Sequence, residues 1–249
     1  MCELALARRK PTHVARRWLS NFAIGAIDSA ALRWVLPLGS LALALGAAES
    51  QRGVLHAIAA PPLASFLITV LALDAIAYAT HRLVHAVPLL WRFHRVHHAD
   101  LELDFSTSQR HHPVDVLVTT ALRLAGVAAL GASPAGVVAY SLLRGPIDAF
   151  SHGNLELPAR LDRSIRWLFI TPAMHAVHHS AARTETDANF ATLFSLWDRW
   201  FATYREAPAR GYPEMTIGIE GFRTPRDLDL DQLLVQPFRR ERGAAPEAA

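Results

Sequence analysis

The stretch that decides the reading is FHRVHH at Phe93–His98. It is preceded by HRLVH at His81–His85 and answered by HAVHH at His175–His179. On a helix, positions i, i+3 and i+4 share one face. His94, His97 and His98 therefore point one way, His175, His178 and His179 do the same, and His81 and His85 form an i, i+4 pair. Grouped imidazoles beside apolar segments are costly unless something binds them. Neutral imidazole is the commonest metal ligand among side chains, so the spacing points to a metal centre.

Working outward, the chain reads as an integral membrane protein. Of 249 residues, 51% are hydrophobic, and the mean hydropathy is +0.17. Four apolar stretches stand out: Leu32–Ala48, Leu63–Thr80, Val114–Ala132 and Ala135–Phe150. Each is near the lower length limit for crossing a bilayer. They pair as two hairpins, turning through Glu49–Pro62 and at Gly131–Pro134. The expected fold is all-α: a membrane bundle of about four transmembrane helices carrying a cytoplasmic, histidine-rich helical cap. Asp74, Arg123 and Arg144 interrupt the second to fourth stretches, so a soluble helical bundle is the alternative.

The arginines set the expected orientation. Arg8, Arg9, Lys10, Arg16 and Arg17 precede the first span, and Arg82, Arg92, Arg95 and Arg110 lie between the second and third. The hairpin turns hold only Arg52. This is the positive-inside pattern, placing both termini and the histidines on the cytoplasmic side of a cell's inner membrane. Three segments are expected: 1–31, N-terminal and cytoplasmic or interfacial; 32–204, membrane-embedded with the metal-binding cap; and 205–249, a C-terminal cytoplasmic extension. Leu161–Phe169 reads as an amphipathic interfacial helix anchored by Trp167. Leu193–Tyr204 reads as a helix with buried aromatics, Gly211–Phe238 as irregular, and Gly243–Ala249 as a disordered tail.

Composition narrows the chemistry. A net charge of +3 gives no strong field for nucleic acid. One cysteine, Cys2, excludes a disulfide framework, a thiolate haem site within the helices and a zinc–cysteine knuckle within one chain. No glycine-rich dinucleotide fingerprint follows a strand, so any reducing electrons come from a separate protein. Two further histidines join the candidates: His112 before Pro113, and His152 in SHGN. The set is then His81, His85, His94, His97, His98, His112, His152, His175, His178 and His179. Zinc takes four ligands, whereas two six-coordinate ions use eight to ten. Imidazole alone does not select among zinc, copper, iron and nickel. His13, His56 and His111 read as surface or interface residues, with His111 replacing His112 if the helix register shifts.

Ligating imidazoles are normally oriented by a carboxylate or carbonyl. Asp74 lies on one helical stripe with Tyr78, His81 and His85. Asp148 precedes His152 by four and Asp115 follows His112 by three, so each carboxylate is a candidate. Asn189 is read either as holding a metal-bound water or as a turn residue. A metal transporter is the competing class, but it places ligands near the bilayer midplane, whereas these cluster at span ends.

Taken in order, HRLVH, FHRVHH, RHHP, SHGN, TPAMHAVHHS and DANFATLFSLWDRWFATY span about Asp74–Tyr204. Together they resemble the fatty acid hydroxylase superfamily, also called the sterol desaturase family. The tail GYPEMTIGIEGFRTPRDL is similar to the end of bacterial members. The resemblance implies a non-haem centre of two iron ions on the ten histidines, with O2 as cosubstrate. It also implies a lipid substrate, hydroxylation or desaturation, and a separate ferredoxin or cytochrome with its reductase. Ala191 and Ala202 stand where the family usually has glycine. A member that has lost catalysis and only binds lipid is the bland alternative.

Overall fold

The computed structural model describes residues 7–36 and 38–240. Cys2 and the expected tail Gly243–Ala249 lie outside them. The chain opens with helices α1 (Val14–Val35), α2 (Ser40–Ser50) and α3 (Val54–Ala57). Thereafter proline marks the long elements. Pro62 opens α4 (Pro62–Ala86), Pro88 opens α5 (Pro88–His98), Pro113 opens α6 (Pro113–Leu130) and Pro134 opens α7 (Pro134–His152). A proline in the first turn loses no hydrogen bond, because that N–H has no helical acceptor, and its fixed φ suits the helix.

Helix α4 is the axis of the molecule and packs against α5, α6 and α7. At 25 residues it is about 38 Å long. Helix α1 packs on α6, and α2 packs on α6 and α7. Leu73, Val127, Val137, Tyr140 and Leu193 are buried between these elements with Ala44. The outer surface is apolar: Trp34 is 85% exposed, Leu63 69% and Leu142 71%, as a lipid-facing wall requires.

Three stretches are long and apolar enough to cross a membrane: Val14–Ala57, Pro62–Ala86 and Pro113–Leu130. This differs from the expected four in two places. The first apolar run, Leu32–Ala48, is not one element, because α1 ends at Val35 and α2 starts at Ser40. Helix α1 also runs across residue 31, where a segment boundary was expected. The fourth, α7, is not among the three, since Arg144, Asp148 and His152 lower its hydropathy.

The α6–α7 turn falls at Gly131, as the sequence suggests. Gly131 has φ +64, and Gly53, at φ +104, approaches it backbone to backbone. A Cβ on Gly53 would lie 2.2 Å from the Gly131 nitrogen. Only glycine fits either position.

The cap follows as α8 (Ala159–Arg166), α9 (Pro172–His178), α10 (Arg183–Thr186), α11 (Leu196–Trp200) and α12 (Leu230–Val235), with 3-10 turns at Phe105–Gln109, Pro225–Leu228 and Gln236–Phe238. Among the described residues, β pairing is limited to isolated bridges such as Phe169 with Phe194. Trp167 is 76% exposed beside α8. The helix expected over Leu193–Tyr204 shrinks to Leu196–Trp200, and Trp200 and Phe201 face outward. The expected irregular stretch Gly211–Phe238 contains α12 and two of the 3-10 turns.

Candidate metal centre

The last turns of α4, α5, α7 and α9 converge. His81 and His85 occupy the last turns of α4, and His94, His97 and His98 the last turns of α5. His152 closes α7, and His175, His178 and His179 lie along and just after α9. Their ring nitrogens gather into two groups. His81, His85, His94, His98 and His178 form one, and His97, His152, His175 and His179 the other; within each, one nitrogen per ring lies within 4.8 Å of the rest.

The inward nitrogens are close neighbours. Nε2 of His178 lies 3.0 Å from Nε2 of His81, and Nε2 of His85 lies 3.1 Å from that of His98. In the second group, His97–His152, His152–His175 and His175–His179 are 3.1, 2.9 and 3.1 Å apart.

The outward nitrogens decide what those contacts are. Nδ1 of His81 donates to the Phe190 carbonyl at 2.7 Å and Nδ1 of His178 to the Ala188 carbonyl at 2.7 Å. Nδ1 of His97 donates to the Arg110 carbonyl at 3.2 Å and Nδ1 of His152 to the Asp148 carbonyl at 2.7 Å. A carbonyl only accepts, so each Nδ1 carries the ring's proton, and in neutral imidazole Nε2 is then a bare lone pair. The pairs His81–His178 and His97–His152 thus set lone pair against lone pair at hydrogen-bond distance. Nε2 of His94 is buried with no partner. Such contacts are repulsive unless a cation sits among them. A nitrogen–metal bond of about 2.1 Å puts ligands at right angles about 3.0 Å apart and tetrahedral ones about 3.4 Å apart. The observed separations fit the former, and the donor set fits metal binding.

Electrostatics agree. Burial pushes the His178 imidazole down to about 3. Burial, then neighbouring imidazoles, hold His97, His98, His175 and His179 far below the ordinary histidine range. The shift of these five rings favours the neutral imidazole, which is the ligating form.

Three expected site residues, His112, Asp74 and Asn189, sit elsewhere, and a fourth, Asp148, serves the site through its main chain. His112 precedes a proline and is held extended, at φ −87, ψ 140, as residues before proline are. Its Nδ1 accepts the Val114 N–H as an N-cap, and its Nε2 faces the Leu234 carbonyl. His111 instead stacks on His97, with ring centroids 4.3 Å apart. Asp74 touches none of the imidazoles: it accepts from the Phe194 N–H (3.0 Å), the Trp197 Nε1 (2.7 Å) and the Thr192 hydroxyl (3.4 Å). Asp148 orients His152 through its backbone carbonyl, its carboxylate standing 3.7 Å away. Asn189, in the left-handed region at φ +54, donates to the Met174 and Arg205 carbonyls and accepts the Arg205 N–H. It is a turn latch, the second of its two readings.

Two carboxylates orient further rings, one of them the candidate Asp115, which serves His94 and His111 and not His112. Asp115 accepts from Nδ1 of His94 at 3.1 Å and from His111 at 3.2 Å. Asp187 lies 3.2 Å from Nδ1 of His85. The i, i+4 spacing of His111 and Asp115 was the available signal. Arg110 and Arg17 had none, since both read as topology charges. Buried Arg17 forms ion pairs of 2.6 Å with Asp100 and Asp104, and Arg110 grips the Val96 carbonyl at 2.8 Å. Burial would raise the Asp100 carboxyl, but Arg17 and Arg110 hold it at about 2. This knot fixes the end of α5 under its three histidines.

A cavity of about 290 Å3 reaches from His81, His94, His97, His152 and His175 down between α4, α6 and α7. Leu32, Ile76, Ala77, Val84 and Val116 give it an apolar wall, interspersed with Thr119, Thr120, Arg123, Tyr140 and Arg144.

Comparison with known proteins matches the fatty acid hydroxylase family model over residues 66–203. Among relatives, ornithine lipid hydroxylase of Rhizobium tropici is 30% identical over 165 residues, 66% of this chain and 47% of its own length. Mouse cholesterol 25-hydroxylase is 29% identical over 59% of this chain and 48% of its own. Alkylglycerol monooxygenase of Xenopus tropicalis is 27% identical over 55% and 30%. The chain thus spans about half the length, or less, of these relatives. No solved structure matches it.

Proposed function

Because the chain belongs to the fatty acid hydroxylase family, we propose that it is a membrane-bound non-haem di-iron oxygenase acting on a lipid C–H bond. The oxidoreductase activity, the lipid, the iron pair and the outcome, hydroxylation or desaturation, are all parts of the proposal. The reading rests on one observation: carbonyls fix the tautomers of His81, His178, His97 and His152 so that bare Nε2 lone pairs face each other. Among cations, iron is chosen on family grounds.

Each residue then has a task. His81, His85, His94, His98 and His178 hold one ion, and His97, His152, His175 and His179 the other. When bound, the irons supply activation of O2 at an unactivated C–H bond. The chain supplies position and exclusion: backbone carbonyls and Asp115 lock ring orientation, and Ile76, Val84 and Val116 line the chamber that keeps water from the chain of a lipid. Electrons arrive from a separate ferredoxin or cytochrome with its reductase. The arginine distribution supports a site at the cytoplasmic face of the inner membrane.

Metal analysis of the purified protein, with its optical spectrum, tests the centre. About two irons per chain without a haem Soret band is expected; a chain that takes up no iron would refute it. Lipidomics of a deletion strain tests the reaction, with loss of a product that carries one added oxygen or lacks two hydrogens as the expected result. Unchanged lipids would count against it.

A further inference from the structure

Two charges in the membrane-level bundle have no task in the reading above. Arg123 lies on α6, and Arg144 on α7, eight residues before His152, or about 12 Å along the helix. Both line the inner part of the histidine chamber, and both line an adjoining cavity of about 220 Å3 with Tyr140, Ser141 and Leu73. Among the described residues neither guanidinium has an ion pair or hydrogen bond, and the Nε atoms of both are buried and unpartnered. Two carboxylates lie within electrostatic reach of Arg144 but hydrogen-bond neither guanidinium: Asp74 accepts three other donors, and the Asp148 carboxylate stands 3.7 Å from His152 Nδ1. An unpaired charge at this depth is expensive, and intramembrane ionisable residues ordinarily mark a ligand path. Two guanidinium groups sharing one cavity match the paired oxygens of a carboxylate or phosphate.

We propose that Arg123 and Arg144, with Tyr140, form an anion subsite at the inner end of the chamber. It takes the acidic group of an amphiphile whose hydrocarbon chain runs back to the histidines. The carbon presented to the metal centre is then remote from the acidic group by roughly the 12 Å between Arg144 and His152 along α7. The proposal rests on the oxygenase reading for its purpose, but the binding it describes needs no turnover.

The test titrates the purified full-length protein in detergent with hexadecanoate, hexadecyl phosphate, 1-hexadecanol and inorganic phosphate, following binding by calorimetry. Both anionic amphiphiles should bind about tenfold or more tightly than the alcohol. That preference should vanish in the Arg123→Gln/Arg144→Gln double variant and persist in part in Arg144→Lys. Iron content and thermal unfolding of each variant are measured alongside; if the double variant is unfolded, Arg123→Gln and Arg144→Gln singly carry the comparison. Equal affinity for acid and alcohol, or a preference that survives loss of the arginines, overturns the subsite. Displacement of hexadecanoate by inorganic phosphate overturns the amphiphile as its occupant and assigns the site to a free anion. Arginine-dependent acid preference in a protein that loads no iron would sink the oxygenase reading and leave the subsite standing.

Discussion

At His111 and His112 a single peptide unit decides which imidazole reaches the cluster. Pro113 forces His112 into an extended conformation, so its ring turns to cap α6 while His111 turns inward against His97. His112→Ala should therefore leave iron content unchanged and cost about 1 kcal/mol as a lost cap; His111→Ala should lower iron content. Depletion of iron in His112→Ala alone would reverse the assignment. A similar contrast separates two aspartates. Asp148 serves His152 through its main chain, which Asp148→Asn preserves, so loading should hold. Asp115 serves His94 and His111 through its carboxylate, and Asp115→Asn should weaken iron binding about 10- to 100-fold. Iron titration of both variants distinguishes them. Sequence spacing brought both carboxylates into view but could not tell a carboxylate from a carbonyl one atom group away.

The segment 188–205 behaves as one device at the scale of an element. Its Ala188 and Phe190 carbonyls fix the tautomers of His178 and His81, and three polar residues clamp it. Asp198 accepts from the N–H groups of Phe190 and Ala191 at 2.8 and 3.1 Å and from the Thr203 hydroxyl at 2.7 Å. Asp74 holds Phe194 and Trp197 from α4, and Asn189 ties the segment to α9 through the Met174 carbonyl. DANFATLFSLWDRWFATY is thus a carbonyl-presenting loop around the short α11, and the helix expected over Leu193–Tyr204 is confined to Leu196–Trp200, because its polar groups satisfy backbone donors that a longer helix would bond internally. Asp198→Ala strands buried donors worth about 1–3 kcal/mol each; thermal unfolding should shift down and iron content fall together. Ala202, at φ +56, occupies a conformation glycine adopts freely, so Ala202→Gly should stabilise by about 1 kcal/mol. A lower unfolding temperature for that variant would contradict the strain.

Across the whole molecule, helix ends from residues 81 to 179 bring nine buried imidazoles into two neighbouring groups. Much of that convergence was legible: the repeated HxxHH pattern, the α6–α7 turn at Gly131 and the apolar runs of α4 and α6 follow from periodicity and punctuation. The broken first span and the Arg17–Asp100–Arg110 knot were not, because they depend on contacts between segments far apart in sequence. The same convergence makes the fold depend on what occupies it. With Nδ1 protons committed to carbonyls, the facing lone pairs of His81 and His178, and of His97 and His152, repel unless a cation joins them; the first pair tethers α9 to α4 and the second α5 to α7. Binding to the folded state alone adds about 2.7 kcal/mol when free metal stands a hundredfold above its Kd. Chelation should therefore lower the unfolding temperature of the purified protein, and hydrogen exchange should quicken first in α9 and residues 188–205, with the α6–α7 hairpin protected longer. Restoring ferrous ion should reverse both. An unfolding temperature and exchange pattern indifferent to metal removal would mean that the nine rings are held by packing alone.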